Sequence, residues 1–73
     1  MRITFDSSED AAYVYLASIG KGDSIKTYLC DPLEVDGQIH LDFDSSGRLI
    51  GIEVLEATRL LHKDLLEMAE IIG

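Results

Sequence analysis

Hydrophobic and polar residues alternate along five stretches of the 73-residue chain, and such alternation is the pattern of half-buried β-strands. The clearest case is residues 38–55, where two alternating stretches flank the polar segment Asp44-Ser45-Ser46-Gly47. A short polar segment with a glycine in this position is typical of an antiparallel hairpin. The five stretches predict strands over residues 2–5, 11–17, 25–30, 38–44 and 48–55.

The periodicity changes after Ala57. An apolar stripe with offsets of four, seven and eleven residues follows, formed by Leu61, Leu65, Met68 and Ile72. This spacing predicts a helix over residues 59–72, with Thr58 as its N-cap. The sequence therefore predicts one α+β domain over residues 1–73, an antiparallel meander sheet of about five strands with one C-terminal helix packed on one face.

This predicted helix has more apolar surface than one sheet face would cover. The residues that we expect to contribute to self-association are Leu60, Leu61, Leu65, Leu66, Met68, Ile71 and Ile72. A core this small supplies only about 3–5 kcal/mol of net stability, and a single cysteine excludes an intrachain disulfide. We therefore expect a homo-oligomer, with a dimer favoured.

The formal net charge of -8 restricts the classes of partner. Nucleic acids and anionic membrane surfaces are bound through Lys and Arg, and the six present are scattered. A small basic protein is the partner that an acidic surface would suit. The absence of a signal-peptide pattern, of an apolar run long enough to cross a membrane and of a cysteine pair leads us to expect a cytoplasmic, bacterial protein.

Residues 42–53 match the spacing of a calcium-binding loop, with oxygen ligands at positions one, three, five and twelve and a glycine at six. Such a loop is flanked by helices, whereas the flanks here alternate as strands. In a hairpin, Glu53 would lie several residues from the turn. The sequence thus favours an acidic β-turn, and we expect no metal and no cofactor.

One face of the predicted sheet collects aromatic, imidazole and carboxylate side chains. Its members are Tyr13, Tyr15, Tyr28, His40, Asp42 and Glu53. They suit a small ligand or a metal ion, but a half-exposed face where tyrosines pack and charges remain hydrated is the interpretation that we favour. Gly51 leaves a gap in its strand that the ring of Tyr13 or Tyr15 would fill.

The sequence contains no reactive constellation of the kind that enzymes use. Cys30 has no predicted base beside it, since nothing in the pattern places His40 or His62 there. Gly20-Lys21-Gly22 is too short for a phosphate-binding loop. We therefore expect a non-catalytic interaction module, with a ligand- or metal-binding domain as the alternative and a hydrolase as the third hypothesis.

Four segments of the chain carry a resemblance to a known family. They are ITFD at residues 3–6, DAAYVYL at 10–16, LDFD at 41–44 and GRLIGIEVLEA at 47–57. In them the chain resembles the domain-of-unknown-function 2283 family of short bacterial proteins. The resemblance implies a small meander sheet with a C-terminal helix, no established activity and no catalytic residues. It also implies an antitoxin-like role, as the partner of a small basic toxin.

Overall fold

The computed structural model describes residues 1–30 and 37–73. Its strands are β1 (Arg2–Asp6), β2 (Ala11–Tyr15), β3 (Lys26–Cys30), β4 (Ile39–Phe43), β5 (Leu49–Leu55) and β6 (Glu70–Ile71). They form one sheet in the order β3-β4-β5-β2-β1-β6. All five predicted strands are confirmed, with ends that differ by one or two residues. The sequence also predicts a turn at Asp36-Gly37 and the end of the third strand at Asp31-Pro32. Asp31, Pro32 and Asp36 lie outside the described ranges.

The sheet topology differs from the predicted meander in two ways. β5 pairs with β2, so the chain crosses from the middle of the sheet to its far edge between β2 and β3. β6, a strand that the sequence did not predict, pairs in parallel with β1 and makes the sheet mixed. The five predicted strands pair antiparallel, as predicted. The predicted meander order is wrong, because the longest strand, β5, lies between β2 and β4.

The strand register gathers the alternating apolar residues onto one face of the sheet. Across the central strands, Val54 lies opposite both Ala12 and Ile39. The buried apolar residues are Ile3, Ala12, Val14, Ile50, Val54 and Ala57. Their burial supplies the main driving force for folding.

The C-terminal segment folds as two short helices, α1 (Ala57–Leu60) and α2 (Lys63–Met68), followed by β6. The predicted single helix over 59–72 is wrong because Leu61 is extended (φ -91°, ψ 135°) and ends α1. The Nδ1 atom of His62 accepts a hydrogen bond of 3.1 Å from the Asp64 amide and thereby caps α2. Thr58 is not an N-cap, since it lies inside α1.

The two helices cover one half of the apolar face. α1 packs on β2 and β5, and α2 packs on β1. Leu60, Leu61 and Leu66 contact the core cluster of Ala12, Val54 and Ala57. The helical spacing of the leucines thus reflects packing against the sheet, as predicted, although a break separates the two helices.

Asp10 connects the β1–β2 turn to the start of α1. It adopts a left-handed conformation with φ of 51°. Its carboxylate accepts hydrogen bonds from the Thr58 amide at 3.0 Å and the Thr58 hydroxyl at 2.9 Å, and its carbonyl accepts one from the Ala57 amide at 2.9 Å. These bonds satisfy amides at a helix start, where no intrahelical acceptor exists.

Replacing Asp10 with alanine is expected to lower the free energy of unfolding by about 1–2 kcal/mol, through loss of the cap and strain at the positive φ. Asp10→Asn should lose less, because an amide oxygen still accepts hydrogen bonds and asparagine tolerates this conformation. Urea denaturation followed by circular dichroism measures both. Equal losses in the two variants would contradict the capping role.

Two turns repeat the same local structure, and the sequence Phe-Asp-Ser-Ser repeats with them at residues 5–8 and 43–46. Asp6 Oδ1 accepts hydrogen bonds from the Ser8 amide and hydroxyl at 3.0 and 2.6 Å. Asp44 Oδ1 accepts them from Ser46 at 2.9 and 2.7 Å. These side-chain hydrogen bonds hold the pKa of both aspartates below the ordinary value of 3.8.

Both aspartates should therefore make the fold sensitive to acid. A carboxylate whose pKa is lower in the folded state stabilises the fold fully above its unfolded-state pKa, and this contribution is lost as the pH falls through the folded-state pKa. Asp44→Asn should flatten the decline in unfolding free energy between about pH 5 and pH 3. Ser46→Ala should also flatten this decline, because it removes the hydroxyl that donates to Asp44. Ser45→Ala is the control, since Ser45 is the exposed neighbouring serine. A decline as steep in Asp44→Asn as in the unaltered chain would refute this assignment.

Candidate functional site

The face of the sheet opposite the helices carries the polar side chains that the sequence analysis grouped together. The strand register places Tyr13 and His40 on either side of Glu53, and Asp42 on the same face of β4 as His40. Tyr15 lies beside Tyr13, with ring centroids 4.7 Å apart. We call this surface the polar face. The prediction that these five residues share a face is confirmed.

Tyr28 does not belong to the polar face, so its inclusion was wrong. It lies opposite Leu41 in the β3–β4 pairing, and its ring meets that of Phe43 edge-on, with centroids 5.4 Å apart. Thr27 and Leu29 occupy the polar face instead. Because side chains change sides at every residue of a strand, an error of one position reverses the whole strand.

A hydrogen-bonded network on the polar face links side chains of β2, β3 and β4 and passes over β5. Both oxygens of Asp42 accept, Oδ2 from the Tyr13 hydroxyl at 2.5 Å and Oδ1 from the Thr27 hydroxyl at 2.7 Å. Burial, and then the bond to Asp42, raise the pKa of Tyr13 above its ordinary value of 10.0. The sequence did not lead us to Thr27, because β3 was assigned with the wrong residues on the polar face. With the correct assignment, Thr27 would have been among the candidate residues.

The hydroxyl end of Tyr13 passes over Gly51. A Cβ atom at position 51 would collide with the Tyr13 hydroxyl and approach Cε1 and Cζ of the ring to 2.6 Å. The prediction that a tyrosine fills the gap at Gly51 is confirmed, and Tyr13 is that residue. The absence of a side chain at position 51 therefore permits the bond between Tyr13 and Asp42.

His40 and Glu53 form a second pair, with His40 Nδ1 and Glu53 Oε1 2.8 Å apart. An imidazole paired with a carboxylate can serve as a base if a nucleophile lies beside it. Cys30 lies opposite Ile39, which places the thiol on the other face of the sheet from His40. The hydroxyls of Tyr13 and Thr27 donate to Asp42 instead. These hydrogen bonds link β2 and β3 to β4.

The carboxylates of the calcium-loop pattern point to different partners. Asp42 binds Tyr13 and Thr27, Asp44 closes its own turn, and Glu53 pairs with His40. Residues 42–53 form a β-hairpin, as the flanking alternation predicted. Among residues 1–30 and 37–73, no group of three or more His, Cys, Asp or Glu side chains is placed to hold a metal ion.

The described sheet ends at the edge strand β3, whereas the helices pack on β1, β2 and β5. Tyr28 and Leu29 are each 54% exposed, and Ile25, just before the strand, is 58% exposed. β4 pairs with one side of β3, and β3 is the terminal strand of the sheet. We call residues 25–30 the β3 edge. An edge strand with this much exposed apolar surface is prone to pair with another chain.

The residues predicted for self-association fall into two groups. Leu60, Leu61 and Leu66 pack against the core of their own chain, which accounts for their hydrophobicity, and Leu65 is half-buried. The exposed ones are Met68, Ile71 and Ile72, next to or within the two-residue strand β6. In the described part of the chain, neither helix is long and apolar enough to cross a membrane.

Comparison with known proteins gives one match. A family model described as "Protein of unknown function (DUF2283)" matches residues 2–57, which include β1 to β5 and the first residue of α1. No curated protein and no solved structure matches. The matched region contains the polar face and the β3 edge.

Proposed function

This chain belongs to the family of proteins of unknown function (DUF2283), and from that premise we propose that it is a non-catalytic protein-interaction module that self-associates through its β3 edge. The observation that supports this proposal is the exposed apolar surface of Ile25, Tyr28 and Leu29 at the end of the sheet. The separation of Cys30 from His40 supports the non-catalytic part.

The backbone of an edge strand favours pairing of this kind. Along the outer side of β3, N–H and C=O groups point away from β4, and a second strand can satisfy them. Native proteins commonly protect such edges with charged residues, prolines or bulges. β3 contains one charged residue, Lys26, and it does not cover Tyr28 and Leu29, which remain exposed.

The charge distribution favours a second copy of this chain as the occupant. Two copies with a formal net charge of -8 each repel one another over most approaches. Residues 24–30, SIKTYLC, contain no carboxylate and one lysine. The β3 edge is therefore a place where two copies can meet with little repulsion. Antiparallel pairing of β3 with its equivalent about a two-fold axis would join the two sheets into one.

The oligomeric state tests the proposal, by size-exclusion chromatography with light scattering at increasing concentration. The unaltered chain should be a dimer at high micromolar concentration. Leu29→Lys, which leaves the Tyr28–Phe43 contact intact, should raise the dimer dissociation constant at least about tenfold, equivalent to 1.4 kcal/mol. Tyr28→Lys should act in the same direction.

Met68→Lys is the matched control, because Met68 is 70% exposed near the opposite edge of the sheet. It should leave the dimer unchanged. A strict monomer at every concentration would contradict the proposal. Dissociation by Met68→Lys but not by Leu29→Lys would instead place the contact at the C-terminal residues.

A further inference from the structure

A groove of about 550 Å³ lies on the polar face, over β1, β2 and β5. Tyr13 and Tyr15 line it with their side chains, and Leu55 and the 61%-exposed Ile72 add apolar surface. This volume is within the range of pockets that hold small ligands or single side chains. β4 separates β5, which forms one side of the groove, from the β3 edge.

Thr4 lines the groove, and its hydroxyl makes no hydrogen bond to the described residues. The residue is only 4% exposed, and within the described part of the chain no hydrogen-bond partner is found for its side chain. No fully enclosed side-chain oxygen or nitrogen in those residues is unpaired, so the Thr4 hydroxyl must reach the open volume of the groove. A hydroxyl that faces the groove without a protein partner can accept a hydrogen bond from a ligand that donates one.

The charge of the groove is of one sign. Four acidic residues line it, Asp6, Glu9, Glu53 and Glu56, and among the described residues no lysine or arginine does. Glu56 is paired with Arg59. Glu9 lies in the exposed β1–β2 turn, whereas Glu53 is partly buried and paired with His40. Aromatic rings beside carboxylates are the environment in which an ammonium or guanidinium group is bound.

The molecule already binds one of its own cations on this face. The guanidinium carbon of Arg2 lies 4.9 Å above the centre of the Tyr15 ring, and Arg2 Nε donates to Glu70 at 2.5 Å. The same Tyr15 ring also lines the groove. The contacts of Arg2 with the Tyr15 ring and the Glu70 carboxylate thus illustrate how the groove would bind a cationic group from another molecule.

We propose that this groove binds a lysine or arginine side chain presented by a partner protein. The charge of the groove and the free hydroxyl of Thr4 match a cationic donor. An open groove leaves a small cation well hydrated and therefore weakly held. A protein-borne side chain gains further contacts from the exposed Ile72 and from the attraction of the chain's overall charge.

The test is titration of the full chain, followed by amide chemical shifts, with the blocked peptide Ala-Lys-Ala-Arg-Ala. Shifts should concentrate on groove residues in β1, β2 and β5. The double variant Glu9→Gln, Glu53→Gln should weaken binding at least about threefold. The double variant Asp64→Asn, Glu67→Gln, which removes two exposed carboxylates from α2, is the matched control and should leave the affinity unchanged. Equal weakening by the control would mean that only the net charge matters and would overturn the proposal.

Thr4→Val separates a binding role from a structural one. Valine keeps the shape and removes the unpaired hydroxyl, so the fold should be no less stable while the peptide binds more weakly. Unaltered peptide binding by a folded Thr4→Val variant would count against the site. So would the absence of shifts in the groove at millimolar peptide.

Spermidine distinguishes the source of the cation. If it shifts the same amides with an affinity equal to that of the peptide, the ligand is a free polyamine and the partner-protein assignment fails. Leu29→Lys, the β3-edge variant, should bind the peptide as the unaltered chain does. The groove and the proposed self-association can therefore fail independently.

Discussion

Replacing Gly51 with alanine is expected to lower the free energy of unfolding by about 2 kcal/mol. In an unobstructed strand this substitution would stabilise the fold by roughly 0.5–1 kcal/mol, because glycine loses more conformational entropy on folding. Here the new methyl group would collide with the hydroxyl and ring of Tyr13. The ring must then move away, and the 2.5 Å bond from Tyr13 to Asp42 is lost.

A double-mutant cycle in urea isolates this contact. In a Tyr13→Phe background the closest clashing atom is gone, so Gly51→Ala should cost about 1 kcal/mol less than in the unaltered chain. Gly20→Ala is the control, since a Cβ there would lie 3.3 Å from the nearest atom, an Asp23 side-chain oxygen in an exposed loop. If Gly51→Ala costs the same in both backgrounds, Tyr13 does not lie over Gly51.

Replacing Val54 with alanine should also cost about 2 kcal/mol, from the lost transfer free energy of two methyl groups and the cavity that remains. Val54 is 4% exposed and lies in the core cluster with Ala12 and Ala57. A domain of this size has a total stability of about 3–5 kcal/mol, so the variant would lose roughly half of it.

Leu49→Ala is the matched control for Val54→Ala. Leu49 begins the same strand and is 39% exposed. Its truncation should cost less than about 1 kcal/mol. Thermal melts and urea titrations measure both variants. A larger loss at Leu49 than at Val54 would show that the core does not lie beneath the centre of β5.

Alternation predicted the five long strands because most of them have one face on a core. β2 shows this clearly, with Ala12 and Val14 buried and Tyr13 between them partly exposed. β3 lacks the signal, since Tyr28 and Leu29 are both apolar and both exposed. An edge strand with apolar residues on either face contains no local information about which side faces inward. The reversed assignment of Tyr28 followed from this.

The C-terminal segment shows a different limit of sequence reasoning. The helical spacing of the leucines predicted helical structure and its packing on the sheet. It did not reveal the break at Leu61-His62, because the leucine spacing continues almost unchanged across that break. β6 is only two residues long and depends on its pairing with β1, a contact remote in sequence. A strand stabilised by a distant partner leaves little local pattern.

The contacts within the candidate site could be predicted only with knowledge of the register between strands. The gap at Gly51 was visible because glycine is unusual within a strand. The pairing of His40 with Glu53, and of Tyr13 with Asp42, required knowledge of how β2, β5 and β4 align. That alignment results from packing between strands far apart in the chain. Local sequence therefore predicted the face, and tertiary structure determined the partners.

Hydrogen exchange at the β3 edge tests the central claim most directly. Amides of β3 that point away from β4 have no partner among residues 1–30 and 37–73, and pairing with a second chain would bond them. Their protection should therefore increase as the protein is concentrated from low to high micromolar, while amides of β6 show no such increase. Exchange in β3 that is independent of concentration, or concentration-dependent protection confined to β6, would contradict self-association through this edge.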